Sequence, residues 1–273
     1  MALSPVTEAE ARAIMASGLG KVELELAVSY SAPLYWIMRD DAGGLRARNG
    51  TAFFLNTGDA VFGVTACHVL RELELDRSKH AVEAVQMGDT HPLNDLDERI
   101  IARDDDIDIA TFRVSEAEVR ALGKNALTGS QQQWPPGPPQ VHRGVYFAGY
   151  PVHETTFTAA TEIEFRPAAG AGVADSVSDV AVSTVLSRDR WIDVLGRGFP
   201  AEGYDFRGIS GGPMLSVIER AGVRSWTLAG VVIRGPNPAG EDGDHIEGFE
   251  VISARRADFI LPNGELDRAR WVG

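Results

Sequence analysis

"TAFFLNTGDAVFGVTACHVL", residues 51–70, consists of two short apolar runs broken by Asn56-Thr57-Gly58-Asp59. A break of turn-forming residues between two such runs predicts a β-hairpin with a tight turn. Further strand candidates lie on both sides of it. They are "LYWIMRD" (34–40), "DIATFRV" (108–114), "GVYFAGYPV" (144–152), "DVAVSTVL" (179–186), "RWIDVLG" (190–196), "SWTLAGVVIRG" (225–235) and "GFEVIS" (248–253). "KVELELAVSY" (21–30) also alternates. Many short strands with turn signals between them predict an all-β sandwich or barrel.

Two segments break that pattern. Residues 4–17 read as a short helix, with Ser4 and Pro5 as N-cap and first position, acidic residues in the first turns and Gly18 as the stop. "GSQQQWPPGPPQ" (129–140) cannot be a central strand or a helix interior, because proline lacks the N–H that either needs. It reads as an extended linker between β-rich halves.

Composition narrows the function classes. The chain has 273 residues, 44% apolar and 24% charged, with a net charge of −13. That field repels phosphate backbones, so nucleic acid is not an expected partner. The one cysteine, Cys67, cannot form an intramolecular disulfide. The N-terminal stretch lacks the basic and apolar regions of a signal peptide. No apolar run approaches the roughly 18 residues of a membrane-spanning helix. The expected compartment is the cytoplasm, with no membrane partner.

"RGISGGPMLS" (207–216) places Ser210 among glycines. This is either a plain turn or a sharp bend that presents a hydroxyl for attack. A nucleophilic serine needs a base. Of the six histidines, His68 stands apart, lying in "VTACHVL" among small and apolar residues, where a titratable ring needs a partner. His80, His91 and His245 sit in polar stretches and read as surface residues, while His142 and His153 flank a strand. The base needs an orienting carboxylate, and "DDDIDIATFRV" offers Asp104, Asp105, Asp106 and Asp108. Asp108 opens an apolar strand and so can be partly buried, with Asp106, two residues earlier on the same strand face, as the alternative. Cys67 reads as a small buried hydrophobe, and the acidic "GEDGDHIEG" (240–248) as a solvated loop near the site.

"TACHV", "DIATFRV" and "GISGGP", in that order and at those separations, resemble the His, Asp and Ser motifs of the trypsin-like (chymotrypsin-fold) serine peptidases. The absence of disulfides and the "GYP" at 149–151 are more similar to bacterial members. The resemblance covers about residues 30–262. It implies an all-β fold of two antiparallel six-stranded β-barrels with a short N-terminal helix. The corresponding division is 1–25 N-terminal helical extension, 26–128 first barrel, 129–140 linker, 141–262 second barrel and 263–273 tail.

The resemblance also implies roles. Ser210 is the nucleophile, His68 the general base and Asp108 its orienter. The N–H groups of Gly208 and Ser210 form the oxyanion hole. Ile233, Arg234 and Gly235 lie along the bound peptide, and Tyr204 sits near the base of the specificity pocket, with Arg207 beside the site. Ile209 stands where zymogen members carry an acid, and no acid occupies the Tyr204 position, so neither N-terminal activation nor a preference for Lys or Arg is expected. The implied activity is serine endopeptidase, with a peptide or protein as substrate, no cofactor and no metal; the oligomeric state is open. Two other classes compete. One is a catalytically silent protease-like domain that binds peptides or partner proteins. The other is an α/β-hydrolase, because "GISGG" also fits G-x-S-x-G, although that fold needs a helix directly after the serine.

Overall fold

The computed structural model describes residues 7–39, 43–89, 91–128, 134–159, 162–201, 204–220, 222–236 and 250–271. The hairpin expected within 51–70 is present as far as residue 65, with residues 67–70 helical instead, and its turn is closed by Asn56, whose Oδ1 accepts the N–H of Gly58 at 3.0 Å. Around it lie β1 (Ser31–Arg39), β2 (Leu45–Asn56), β3 (Val61–Thr65), β4 (Val82–Met87), β5 (His91–Pro92), β6 (Ile100–Asp104), β7 (Ile109–Arg113) and β8 (Leu127–Thr128). They form one sheet in the order β5-β4-β1-β2-β3-β7-β6, antiparallel except where β8 joins β2 in parallel.

A second set follows: β9 (Gly144–Gly149), β10 (Thr155–Ala159), β11 (Glu162–Phe165), β12 (Ala168–Val173), β13 (Ser176–Val177), β14 (Ala181–Leu186), β15 (Pro213–Arg220), β16 (Val223–Arg234) and β17 (Glu250–Arg256). β10 and β11 pair only with each other, and the rest form an antiparallel sheet in the order β12-β9-β15-β16-β17-β14-β13. This sheet curls strongly. A Cβ on Gly172 of β12 would lie 2.3 Å from Thr184 Oγ1 of β14, although those strands are far apart in the ladder.

The chain is therefore mostly β-sheet with a helical N-terminus. Each sheet has its own apolar filling, around Trp36, Phe54 and Phe112 in the first and around Phe147, Met214 and Val232 in the second. A third cluster joins the two, packing Phe53, Phe62 and Ile109 with Tyr146, Leu215 and Val231. Burying each such side chain contributes about 1.5–3 kcal/mol. Among the described residues, no helix is long and apolar enough to cross a membrane.

Four local expectations are corrected. Residues 21–30 are not a strand but most of helix α2 (Gly20–Tyr30). Its buried residues are Gly20, Glu23, Leu24, Ala27 and Tyr30, which is helical spacing. Buried Glu23 is matched by Arg224, whose Nε donates at 2.8 Å. The helix expected at 4–17 is α1 (Glu8–Ile14), capped by Thr7 rather than Ser4, with reciprocal Thr7–Glu10 bonds. Residues 1–6 lie outside the described residues. "RWIDVLG" is a looped segment, because the Asp193 carboxylate accepts the N–H groups of Arg197 and Gly198 and holds the backbone in a turn. His91 is not a surface ring: it is mostly buried, with Nε2 3.4 Å from Glu118 Oε1.

Within the proline-rich segment, residues 129–133 lie outside the described residues. The rest is fastened, since Trp134 Nε1 donates to Ile260 O at 2.8 Å. Helix α3 (Cys67–Lys79) is an element that the strand-like pattern around His68 did not announce.

Candidate active site

β3 ends at Thr65, and α3 begins at Cys67 with Ala66 as its N-cap. Alanine offers no side-chain acceptor, so the first N–H groups of α3 need partners from elsewhere. Asp108 supplies one: its Oδ1 accepts the His68 N–H at 2.9 Å. The same carboxylate reaches the ring, with Nδ1 at 2.8 Å from Oδ2 and 3.1 Å from Oδ1. An ionised carboxylate can only accept, so the ring proton sits on Nδ1 and the Nε2 lone pair is left to act as a base. Both side chains are about one-fifth exposed, at 22% and 20%.

Asp108 is not on the strand but one residue before β7, in the left-handed region with φ 58°. Asp tolerates that region better than most residues. The turn is over-determined. Asp104 Oδ1 accepts from Asp106 N and Ile107 N, Asp108 N donates to Asp104 O, and Arg255 Nε donates to Ile107 O at 2.6 Å. Asp104 and Asp105 are engaged by Arg268 and Arg71, respectively. Asp106 does not share a strand face with Asp108, because both lie in this turn. The ring of His68 is therefore held by Asp108 and not by Asp106. Cys67, next to His68, is buried, with Sγ 3.4 Å from Asp105 Oδ1; burial first, and then that carboxylate, push its thiol up to about 12. A thiol so shifted is not a competing nucleophile.

Ser210 sits in the turn that enters β15. Because a strand follows it, the α/β-hydrolase alternative loses the helix it requires. The turn is pressed into the end of the hairpin that leads to His68. A Cβ on Gly211 (φ 89°) would lie 2.0 Å from Thr51 O, 2.3 Å from Thr65 Oγ1 and 3.0 Å from Ala66 N. Ser210 O itself accepts from Thr51 N at 2.8 Å. The serine turn is thus packed against the residues just before His68. Among the described residues, Ser210 Oγ makes no hydrogen bond, and the N–H groups of Gly208 and Ser210 donate to no protein acceptor. Their neighbours are engaged: Ile209 N donates to Phe206 O and Gly211 N to Val232 O.

The remaining expected site residues surround this turn. Gly211 and Gly212 bond to Val232, after which β16 continues through Ile233 and Arg234 to Gly235. The β15 ladder stops at Pro213↔Val231, before Ile233. A Cβ on Gly235 would lie 3.0 Å from Phe206 Cβ and 3.1 Å from Ile209 Cδ1. Tyr204 is half-buried and donates to Glu154 Oε1 at 2.9 Å; burial and that carboxylate push its phenol upward. Arg207 is exposed, but its charge is paired with buried Asp205 at 2.5 Å. The expected acidic loop at 240–248 lies outside the described residues. Among the described residues, no three His, Cys, Asp or Glu side chains converge as a metal's ligands would.

Two residues beside the turn carried no sequence signal. Asn49 and Thr51 of β2 are buried and bond to the turn and to Tyr150.

No family model matches the chain, and no curated protein matches it. Among solved structures it is similar to a chain described as "Aromatic interactions drive the coupled folding and binding of the intrinsically disordered Sesbania mosaic virus VPg protein". The identity is 13%, 84% of this chain and 92% of that chain are covered, and the TM-score is 0.38. A likeness at that score carries no argument about fold or function.

Proposed function

We propose that this chain is a cytoplasmic serine endopeptidase of the trypsin-like kind, with Ser210 as nucleophile, His68 as general base and then acid, and Asp108 as its orienter. One observation carries the reading. The Asp108 carboxylate meets Nδ1 of His68 at 2.8 Å, while the Ser210 turn is packed against Ala66, two residues before that histidine. A carboxylate–imidazole pair beside a serine with two unbonded amides has every part that acyl transfer needs.

His68 Nε2 takes the proton of Ser210 as Oγ attacks the scissile carbonyl. Asp108 stabilises the imidazolium that forms. The negative oxygen is received by the N–H groups of Gly208 and Ser210, each such donor being worth about 10²–10³ in kcat. His68 gives its proton to the leaving amine, and water then hydrolyses the acyl-serine by the same route. β16 beyond Val231, where the β15 ladder ends, offers main-chain pairing to a substrate strand. Tyr204 and Glu154 border the pocket for the residue before the cut. A contact between nucleophile and base commonly tightens only when substrate is bound.

The finer architecture we propose is two six-stranded barrels. Taking β1, β2, β3, β4, β6 and β7 as strands 1–6 of the first sheet gives the order 4-1-2-3-6-5. Taking β9, β12, β14, β15, β16 and β17 likewise gives 2-1-4-5-6-3. Joining the two ends of either path gives the same ring, 1-2-3-6-5-4. The contact of Gly172 with Thr184 lies where the second ring would close.

A second reading, the catalytically silent domain that binds peptides, is favoured by the missing hydrogen bond between Ser210 Oγ and His68. A fluorogenic peptide library separates the two. Wild-type cleavage that vanishes in Ser210→Ala supports the peptidase. Peptides that bind wild type without being cut, or cleavage that survives Ser210→Ala, overturn it.

A further inference from the structure

Three carbonyls of the turn at 207–210 point toward the body of the protein, and each is held from outside the turn. Arg207 O accepts from Val152 N at 2.8 Å, and Ser210 O from Thr51 N at 2.8 Å. Gly208 O accepts from Thr51 Oγ1 at 2.7 Å. In a planar trans peptide a carbonyl points opposite to the N–H of the next residue, so the bond from Val152 N to Arg207 O turns the Gly208 N–H outward. The bonds to Gly208 O and Ser210 O hold the carbonyl ends of the same two residues that carry the unbonded N–H groups, and so fix where those residues sit.

Thr51 provides two of the three donors. It is wholly buried, and every polar atom it has is engaged. Its hydroxyl accepts from Tyr150 N at 2.9 Å, and its carbonyl accepts from Thr65 Oγ1 at 2.7 Å. Its main chain is free for this role because β2 pairs with β3 only from Phe53 onward. Gly208 fits tightly beneath it: with φ 101°, a Cβ there would lie 2.4 Å from Tyr150 O. The hydroxyl therefore links the first sheet, the end of β9 and the turn through a single oxygen.

We infer that Thr51 is a positioning residue for the anion-receiving amides, acting by anchoring Gly208 and Ser210 on β2 through their carbonyls. This rests on the reading of Ser210 as nucleophile. A displacement of about 1 Å in such donors costs about 10²-fold in rate. Thr51→Val removes the hydroxyl at nearly the same shape, and Thr51→Ser keeps it.

The test uses the full chain, one cleaved peptide and the matching peptide aldehyde, whose serine adduct carries the same oxyanion. In Thr51→Val, kcat falls about 10- to 100-fold, KM stays within about threefold, and aldehyde affinity falls in step with kcat. Thr51→Ser stays within about threefold of wild type. Should Thr51→Val fail to fold, Thr51→Cys, similar in shape but a weak donor, is expected to show the same split at smaller amplitude. A folded Thr51→Val or Thr51→Cys with wild-type kcat, a loss carried by KM alone, or a Thr51→Ser as impaired as Thr51→Val overturns the inference while leaving the peptidase reading intact. A wild type that neither cleaves nor labels overturns both.

Discussion

Asp108 engages His68 twice with one carboxylate, at the main-chain N–H and at ring Nδ1. It acts as a remote cap for a helix whose own N-cap is alanine, and as an orienter of the ring. The two roles separate by substitution. Asp108→Asn still tolerates φ 58° and still offers one acceptor, so the fold survives. Its amide no longer enforces the Nδ1–H tautomer, and kcat is expected to fall by about 10³–10⁴. Asp108→Ala loses the cap as well and costs about 1 kcal/mol more in stability. Kinetics alongside thermal unfolding of the two variants checks both parts.

Arg255 reaches from the second sheet to hold Ile107 O, the carbonyl just before Asp108, while its guanidinium lies over Trp271, 4.6 Å from the ring centroid. Arg255→Met frees that carbonyl and loosens the turn. We expect a loss of about 1.5–3 kcal/mol in urea unfolding, the range for a hydrogen bond from a charged donor, together with reduced kcat/KM. Unchanged values of both would show that the turn holds itself.

Gly211 and Gly58 both have positive φ, but only Gly211 is crowded. Ala at 58 meets nothing within 4 Å and bears backbone strain alone, about 1 kcal/mol. Ala at 211 would drive a methyl to 2.0 Å from Thr51 O, prying the serine turn off β2. Gly211→Ala is therefore expected to lose several-fold more stability than Gly58→Ala, and active-site labelling with it. Denaturation midpoints of the pair measure the contrast.

Glu118 carries the clearest acid dependence away from the site. Burial pushes its carboxyl up, but the bonds from Arg99 and from Ser115 outweigh this and hold it at about 2. A folded value below the unfolded one, about 4.3, contributes stability above pH 4.3 that is lost as pH falls toward 2. Glu118→Gln keeps the cap on α4 (Glu116–Ala121) without the charge. Its unfolding midpoint is expected to vary less than that of wild type between about pH 4.3 and 2; equal slopes would contradict the assignment.

The hairpin of β2 and β3, most of the strand series and the pairing of His68 with Asp108 were legible because each has a local pattern. What escaped depends on partners distant in the chain. "KVELEL" alternates, yet it forms a helix because Glu23 is matched by Arg224, 201 residues away. α3 was hidden by a similar alternation in "RELELDRSK". A strand at 190–196 is lost because the Asp193 carboxylate accepts the N–H groups of Arg197 and Gly198 and draws the chain into a turn. Thr51 looks like any strand threonine until Gly208 O, 157 residues later, comes to rest on its hydroxyl.

The most direct measurement of the central claim is mass-spectrometric mapping of a fluorophosphonate adduct on the folded protein. The account predicts one adduct, on Ser210, lost in Ser210→Ala and slowed about 10³-fold or more in His68→Ala. No adduct on wild type, or one at another residue that persists in Ser210→Ala, would contradict it.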